Sequence, residues 1–399
     1  MISPPLLSPP LLSVDEALAR CLALITPLQG EATTLRHAFG RMMLTPATAR
    51  RDQPPFAAAA MDGYAVAGDH PAYPVIGEVG AGHAFAAPLA PGQSIRIFTG
   101  APVPAGATRV IIQEDVIRTG DTISVRPGAD SATHIRAAGQ DFRHGDRLQP
   151  RRLTANDLAL LAAMNVPQVT TSRRPEVALI ATGDELVWPG DDPSPSQIVA
   201  SNTFALAALI EAEGGIARVL PIARDTEADL GAVLTMALDA DLIVTIGGAS
   251  VGDHDLVARV ATDMGLQSAF WKIAMRPGKP LMAGRLREKP LIGLPGNPVS
   301  SIVCGHLFVL PMVRALQSRP DLAPRPRRAR LGQVLDANGP RAHYMRALVT
   351  EAEDLPLITA FAMQDSSQLR LLAQANALLI RPPGDGPRAA GDTVTYLPL

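Results

Sequence analysis

Cysteine is nearly missing from this chain: of 399 residues only Cys21 and Cys304 carry a thiol. That excludes a disulfide framework and suits a reducing cytosol. Both fall inside helical patterns, where a cysteine reads as a small buried hydrophobe and not as a nucleophile. No histidine or cysteine cluster has the spacing of a zinc site. An excess of one charge is missing too: 36 basic residues face 38 acidic ones, a formal net charge of −2. With a pI near 6.5, this argues against a nucleic-acid partner or an anionic membrane surface. The apolar stretch 302–316 is interrupted by His306, Pro311 and Arg314, and it is expected to be too short to cross a bilayer. The N-terminal stretch Met1-Ile-Ser-Pro-Pro-Leu-Leu-Ser-Pro-Pro10 lacks a basic region and is broken by prolines. It does not read as a signal peptide. Beyond those prolines there is no low-complexity tract, and no internal repeat.

Apolar residues, by contrast, make up 47% of the chain, ample for buried cores, and the length suggests two to four domains. The stretch Asp241-Leu-Ile-Val-Thr-Ile-Gly-Gly-Ala-Ser-Val-Gly-Asp-His-Asp255 is the most informative. Its β-branched run reads as a buried strand. Gly247, Gly248 and Ser250 then form a loop where backbone N–H groups approach a ligand, and Asp253 and Asp255 follow at once. A second loop of this type, Ala181-Thr-Gly-Asp-Glu-Leu186, follows the apolar run 177–181 and offers Gly183, Asp184 and Glu185. Between the two, Ser201 is an expected N-cap for a helix over 202–213, stopped by Gly214 and Gly215. A strand over 217–222 ends near Asp225, and Thr226 with Asp229 resembles a capping box for a helix over 227–238. The order β-loop-α-β-α-β-loop predicts a parallel sheet covered by helices. Ligands bind such sheets beyond the carboxyl ends of the strands, where all these acids would converge.

A third element, Lys289-Pro-Leu-Ile-Gly-Leu-Pro-Gly-Asn-Pro-Val-Ser-Ser301, reads as a short strand, a forced turn at Pro295-Gly296, and a helix running to about Leu316. Asn297 as N-cap with Pro298 at the first helical position is a strong start. Free N–H groups there suit an oxyanion, and a kink is expected near Pro311. Just upstream, Lys272, Arg276 and Lys279 are three cations in a Pro/Gly-constrained segment. If Lys272 and Arg276 lie on one strand they share a face.

The expected class is multidomain α/β in four regions. Residues 1–45 and 140–173 form a discontinuous helical/linker domain, with Ser13 and Thr154 capping helices over 14–24 and 155–164. Residues 46–139 are an inserted small β-rich domain with strands over 94–98, 109–113 and 122–125. Residues 174–322 are a three-layer α/β domain with a mostly parallel sheet. After a proline-rich linker at 320–326, residues 323–399 form a small all-β, barrel-like domain, with strands over 329–335, 345–350, 357–361, 377–381 and 393–397.

Seven motifs in this order carry a specific resemblance: Met61-Asp-Gly-Tyr-Ala-Val66, Phe98-Thr-Gly-Ala-Pro-Val-Pro104, Arg136-Ala-Ala-Gly-Gln-Asp141, Ala181-Thr-Gly-Asp-Glu-Leu186, Gly247-Gly-Ala-Ser-Val-Gly-Asp253, Arg276-Pro-Gly-Lys-Pro280 and Leu294-Pro-Gly-Asn-Pro298. Together they resemble the molybdopterin molybdenumtransferases, the MoeA family related to the gephyrin E domain, from about Ser13 to the C-terminus. The resemblance implies insertion of molybdenum from molybdate, the co-substrate, into adenylylated molybdopterin, with release of AMP. Mg²⁺ is the implied cofactor, held by Glu185, Asp225 and Asp255, which suits a cation that prefers one or two carboxylates plus phosphate oxygens. Lys272, Arg276, Ser300 and the Asn297 helix start are candidates for gripping molybdate, and Lys279 for the phosphates. The loops at Gly183-Asp184, Gly247-Gly248-Ser250 and Pro295-Gly296-Asn297-Pro298 would cradle the substrate. The resemblance also projects Asp62 into a partner subunit's site, implying a homodimer with shared active sites. Thr99 would sit in another substrate-facing loop. Asp141 and Arg136 form either a structural ion pair or a substrate contact. The implied location is cytoplasmic.

The chain departs from the family pattern at two points. Arg276 stands where the family often has lysine, which keeps the charge and alters its geometry. Arg370 and Leu371 stand where a serine pair precedes Ala373-Gln-Ala-Asn376, leaving the C-terminal domain's role in the site open. Other readings are a molybdopterin adenylyltransferase, which the α/β unit alone resembles, a gephyrin-like scaffold without catalysis, and a tungstate-handling relative.

Overall fold

A computed structural model describes residues 11–248 and 256–399. Contacts divide the chain into two compact units, Met1–Gly30 with Ser172–Leu399, and Glu31–Thr171.

The first unit is built on a six-stranded sheet. Its order is Ile216–Val219, Glu176–Ala181, Leu242–Ile246, Lys289–Leu294, Met282–Leu286, Leu266–Trp271. The first four strands are parallel, as the βαβ order predicts. The last two turn back as antiparallel neighbours, so the sheet is mixed. Because side chains alternate along a strand, Val177 and Leu179 enter one core and Ala178 and Ile180 the other. Helices Asn202–Ala212 and Pro298–Cys304 pack in the first core, and helices Glu227–Met236 and Leu256–Asp263 in the second.

Helix Val14–Ala23 opens with the expected capping box of Ser13 and Glu16. It buries Val14, Ala17 and Cys21 in the core that also holds Val177, Val244 and Ile246. The helix therefore serves the α/β unit, and not the segment 140–173 with which its sequence pattern grouped it.

The helix expected after Asn297 is continuous to Leu316 but not uniformly α. A π segment, Gly305–Val309, joins Pro298–Cys304 to Leu310–Leu316. Pro311 lacks an N–H and crowds the carbonyl one turn back, and the wider π turn lies just where an α-helix would kink. At 19 residues this helix is long and apolar enough to cross a membrane, contrary to expectation, but 83% of its apolar window is buried. It is the central core helix of the unit.

Five C-terminal strands, Arg327–Leu331, Ala342–Thr350, Leu357–Ala360, Ala377–Arg381 and Thr393–Pro398, close into a small barrel. Closure comes from pairing of Ala342–Thr350 with both Leu357–Ala360 and Ala377–Arg381. Met275–Arg276 adds in parallel to Ala342–His343.

In the second unit, six strands run Arg109–Ile112, Gly63–Val66, Ser94–Ile97, Ala72–Val79, Thr122–Val125, Val116–Thr119. Helix Ala155–Ala163, with its Thr154–Asp157 capping box, packs Leu161 into a separate core with Met43 and Leu153.

Candidate functional site

The parallel strands end in loops whose conformations depend on glycine. Gly247 and Gly248 follow the strand Leu242–Ile246 with φ of +97° and +66°. A Cβ on Gly247 would stand 2.7 Å from the Thr182 carbonyl oxygen, and one on Gly248 would stand 2.1 Å from Val257 Cγ2. Only glycine allows the two strand-end loops to meet this closely. They border a cleft of about 980 Å³.

Of the residues expected at the site, Gly183, Glu185, Asp225, Gly247, Gly248, Pro295, Gly296, Asn297 and Pro298 line this cleft. Glu185 and Asp225 are both exposed. Asp184 has a different role. Its carboxylate accepts from the Asp225 N–H at 3.0 Å, and its own N–H reaches the Asp225 carboxylate at 3.4 Å. Arg224 reinforces this by donating to the carbonyls of Asp184 and Leu186, each at 3.1 Å. Asp184 thus holds the Asp225 loop and does not itself line the cleft. Thr226 caps its helix by accepting from the Asp229 N–H. The Asp229 carboxylate bonds the Arg224 N–H instead of closing a capping box. Ser250 and Asp255, with Asp253, lie outside the described residues.

The Pro295–Asn297 turn is tied across the cleft, because Asn202 Nδ2 donates to the Gly296 carbonyl at 2.7 Å. Asn297 stands at the N-cap position without a side-chain cap bond. Fewer N–H groups are open here than the sequence suggests. Pro298 has none, Val299 donates to the Ser366 carbonyl at 3.0 Å, and Ser301 donates to the Asn297 carbonyl at 3.0 Å. Ser300 is buried within the helix and does not line the cleft.

Lys272, Arg276 and Lys279 do not line it either; Pro280, next in the chain, does. Lys272 follows the last residue of its strand with φ +69°, which ends the alternation that would have put it on one face with Arg276. Arg276 instead joins the barrel ladder opposite His343. Burial, and then Arg276, Arg381, Arg341 and Arg346, push His343 down to about 4. The Lys279 carbonyl closes a tight turn by accepting from Ile273 and Leu281.

Several lining residues were not foreseen. Arg259 is the cation that lines the cleft among the described residues, and it pairs with Glu227 at 2.5 Å. Ser201, Asn202 and Thr203 begin a helix there, and Ser367 brings the C-terminal domain to the cleft despite the altered sequence at 370–371. Ile198 and Val199 add an apolar wall.

Asp62, Thr99 and Asp141 belong to the second unit. Asp62 accepts from the Thr99 N–H at 2.7 Å and from its hydroxyl at 2.8 Å. Those bonds, and Arg96 more weakly, hold its carboxyl below the ordinary range, so it is ionised at neutral pH. Arg96 itself stands 5.1 Å from the Tyr64 ring and 4.9 Å from the Phe98 ring. Asp141 and Arg136 are exposed, and no ion pair joins them among the described residues.

Comparison with known proteins covers nearly the whole chain. Residues 12–165 match the family description "MoeA N-terminal region (domain I and II)", residues 178–315 "Probable molybdopterin binding domain", and residues 328–399 "MoeA C-terminal region (domain IV)". A molybdopterin molybdenumtransferase of Nostoc sp. is 34% identical over 386 residues, 92% of this chain and 88% of the relative. Another, from Haemophilus influenzae, is 31% identical over 98% of this chain and 99% of its own. A solved structure of the molybdopterin biosynthesis MoeA protein from Pyrococcus horikosii superposes with a TM-score of 0.83 at 29% identity, covering 98% of this chain and 99% of that one.

Proposed function

This chain belongs to the MoeA family and is a transferase that inserts molybdenum in molybdenum cofactor biosynthesis, and on that premise we propose how it does so. It takes molybdenum from molybdate, places it in adenylylated molybdopterin and releases AMP. The observation that carries this reading is the cleft itself, where Glu185, Asp225, the Gly247-Gly248 turn and the Pro295–Pro298 turn meet.

Mg²⁺ fits the donor set. Two solvent-accessible carboxylates line the cleft, and the described residues contain no cluster of three or more metal-ligating side chains. That suits an ion that takes one or two carboxylates and completes its shell with phosphate oxygens and water. Glu185 and Asp225 would hold it, with Asp255 as the third carboxylate the family resemblance supplies. An ion held there would supply positive charge to offset that of the pyrophosphate. The chain's own work is positioning. Asp184 and Arg224 fix the Asp225 loop, and Asn202 fixes the Pro295–Asn297 turn. Arg259 supplies a cation at the cleft wall. Lys272, Arg276 and Lys279 remain candidates for molybdate and phosphate, in the segment next to Pro280.

We further propose a cytoplasmic homodimer in which Asp62 and Thr99 complete the partner's site. Their shared hydrogen bonds present an ionised carboxylate on an exposed loop. The two buried free thiols fit a reducing compartment. An ATP-using adenylyltransferase is the weaker reading because all three family regions are present together, and a scaffold without catalysis is weaker because the carboxylates Glu185 and Asp225 are kept at the cleft. The test is incubation of the purified protein with adenylylated molybdopterin, Mg²⁺ and molybdate or tungstate. AMP release coupled to metal insertion is expected, and its absence with both oxyanions would reject the assignment.

A further inference from the structure

Resting on the reading of a phosphate-bearing substrate, we infer that the start of helix Asn202–Ala212 is a phosphate-binding site of its own, built around the Thr203 hydroxyl. Ser201 stands at the N-cap position but makes no side-chain cap bond. The reason is conformational. A capping residue is normally extended, so that its side chain reaches forward to the first turn, whereas Ser201 is helical, with φ −104° and ψ −28°. Its hydroxyl lies 3.3 Å from Asn202 Oδ1 instead. The N–H groups of Asn202, Thr203 and Phe204 consequently make no hydrogen bond among the described residues.

An uncapped helix start alone is not a site. Thr203 supplies the independent observation. It is 1% exposed, it lines the cleft, and its Oγ1 is buried without a hydrogen-bond partner. Thr203 is the second residue of the helix, so no helical carbonyl stands four residues back to accept from its hydroxyl. Buried hydroxyls are seldom left unpaired, because the desolvation cost is then uncompensated. A tetrahedral oxyanion would resolve both deficits at once, accepting hydrogen bonds from the hydroxyl and from the N–H groups at the positive end of the helix dipole. The Asn202 bond to the Gly296 carbonyl holds this helix start beside the Pro295–Asn297 turn.

Thr203→Val keeps the shape and removes the hydroxyl, while Thr203→Ser keeps the hydroxyl. Inorganic phosphate and molybdate are titrated separately into the full-length wild type and both variants, followed by amide NMR shifts at residues 202–204, with thermal melts alongside. Wild type and Thr203→Ser should bind phosphate alike, and Thr203→Val should bind it roughly ten- to a hundredfold more weakly. Thr203→Val should also melt no lower than wild type, since an unpaired buried hydroxyl has been removed. Equal phosphate affinity in wild type and Thr203→Val would overturn the inference, as would a loss confined to molybdate. Wild-type protein that binds phosphate here but inserts no metal would leave this site standing and remove the proposed activity.

Discussion

Asn202→Ala tests whether the Pro295–Asn297 turn is held from across the cleft. The Asn202 side chain donates one neutral hydrogen bond, 2.7 Å long, to the Gly296 carbonyl, and its Oδ1 accepts a longer one, 3.3 Å, from the exchangeable Ser201 hydroxyl. Gly296 is exposed, so its freed carbonyl regains water and no buried acceptor is orphaned. The net loss should therefore sit near the ordinary value of about 1 kcal/mol. If that bond serves only the fold, the melting temperature falls slightly and kinetics are unchanged. If it aims the turn at substrate, the same ~1 kcal/mol appears in kcat/KM as a roughly fivefold loss. Asn202→Asp separates the two cases, because it keeps the size and turns the donor into an anion facing a carbonyl and an anionic substrate. That opposition should add roughly another 1–2 kcal/mol, or on the order of tenfold, and should weaken with salt. The assay is steady-state AMP release with varied pterin nucleotide at two ionic strengths. An Asp variant no worse than the Ala variant, or with the same salt response, would refute the reasoning.

Glu185→Gln and Asp225→Asn should each nearly abolish metal insertion while leaving the melting temperature close to that of wild type, because neither carboxylate is buried; calorimetry beside the AMP assay checks this. Asp62→Ala mixed with Glu185→Gln should recover partial activity once subunits exchange, and light scattering that finds only monomer would remove the basis for it. Glu213→Gln should cost about 3 kcal/mol, because Glu213 bridges Arg314 and Arg319, whose side chains are 15% and 3% exposed. Burial opposes the Glu213 charge, but the two arginines outweigh it and its pKa is lowered. Its stabilisation is thus present above the ordinary glutamate range and lost as pH falls through the lowered value. His306 and His343, both held near 4 chiefly by burial, act over a higher window. The unfolded chain takes up their protons first, so stability should fall as pH drops from about 6.5 toward 4. Replacing both histidines with glutamine should flatten that part of the denaturation profile.

The parts of this fold that were legible are those written locally. A β-branched run followed by glycine and acid marks a strand end, and Ser13 and Thr154 each announce a helix through an acid three residues on. Barrel strands such as Ala377–Arg381 and Thr393–Pro398 read directly from short apolar or β-branched runs bounded by turn residues. What stayed hidden depends on distant partners. The antiparallel pair Leu266–Trp271 and Met282–Leu286 frames the cation segment, and those cations drew the reading toward a continuous strand and turn. The left-handed backbone at Lys272 has no sequence mark, since lysine is not a residue that favours it. Nothing in the sequence around Arg259 points that residue at the cleft. Ser201 has the right chemistry for a cap and the wrong backbone angles, and only coordinates separate the two.

The charge lining the cleft bears on how it would hold an anion. Among the described lining residues, Arg259 is the one cation, against the carboxylates of Glu185 and Asp225. Arg259 is already paired with Glu227. Side chains there thus oppose a pyrophosphate more than they attract it. On the proposed reading the attraction would come from main-chain N–H groups at helix starts, which carry partial positive charge without a counter-acid, and from a divalent cation, which would turn the two acids from repulsive to bridging. On that reading the acids reach solvent, while Asp184 and Arg224 fix the Asp225 loop without lining the cleft themselves. Carboxylates arranged to share a cation need freedom to adjust to its shell, whereas the loops carrying them must not move. Glycine at 247 and 248 and the Asn202 bond to Gly296 provide that fixed frame.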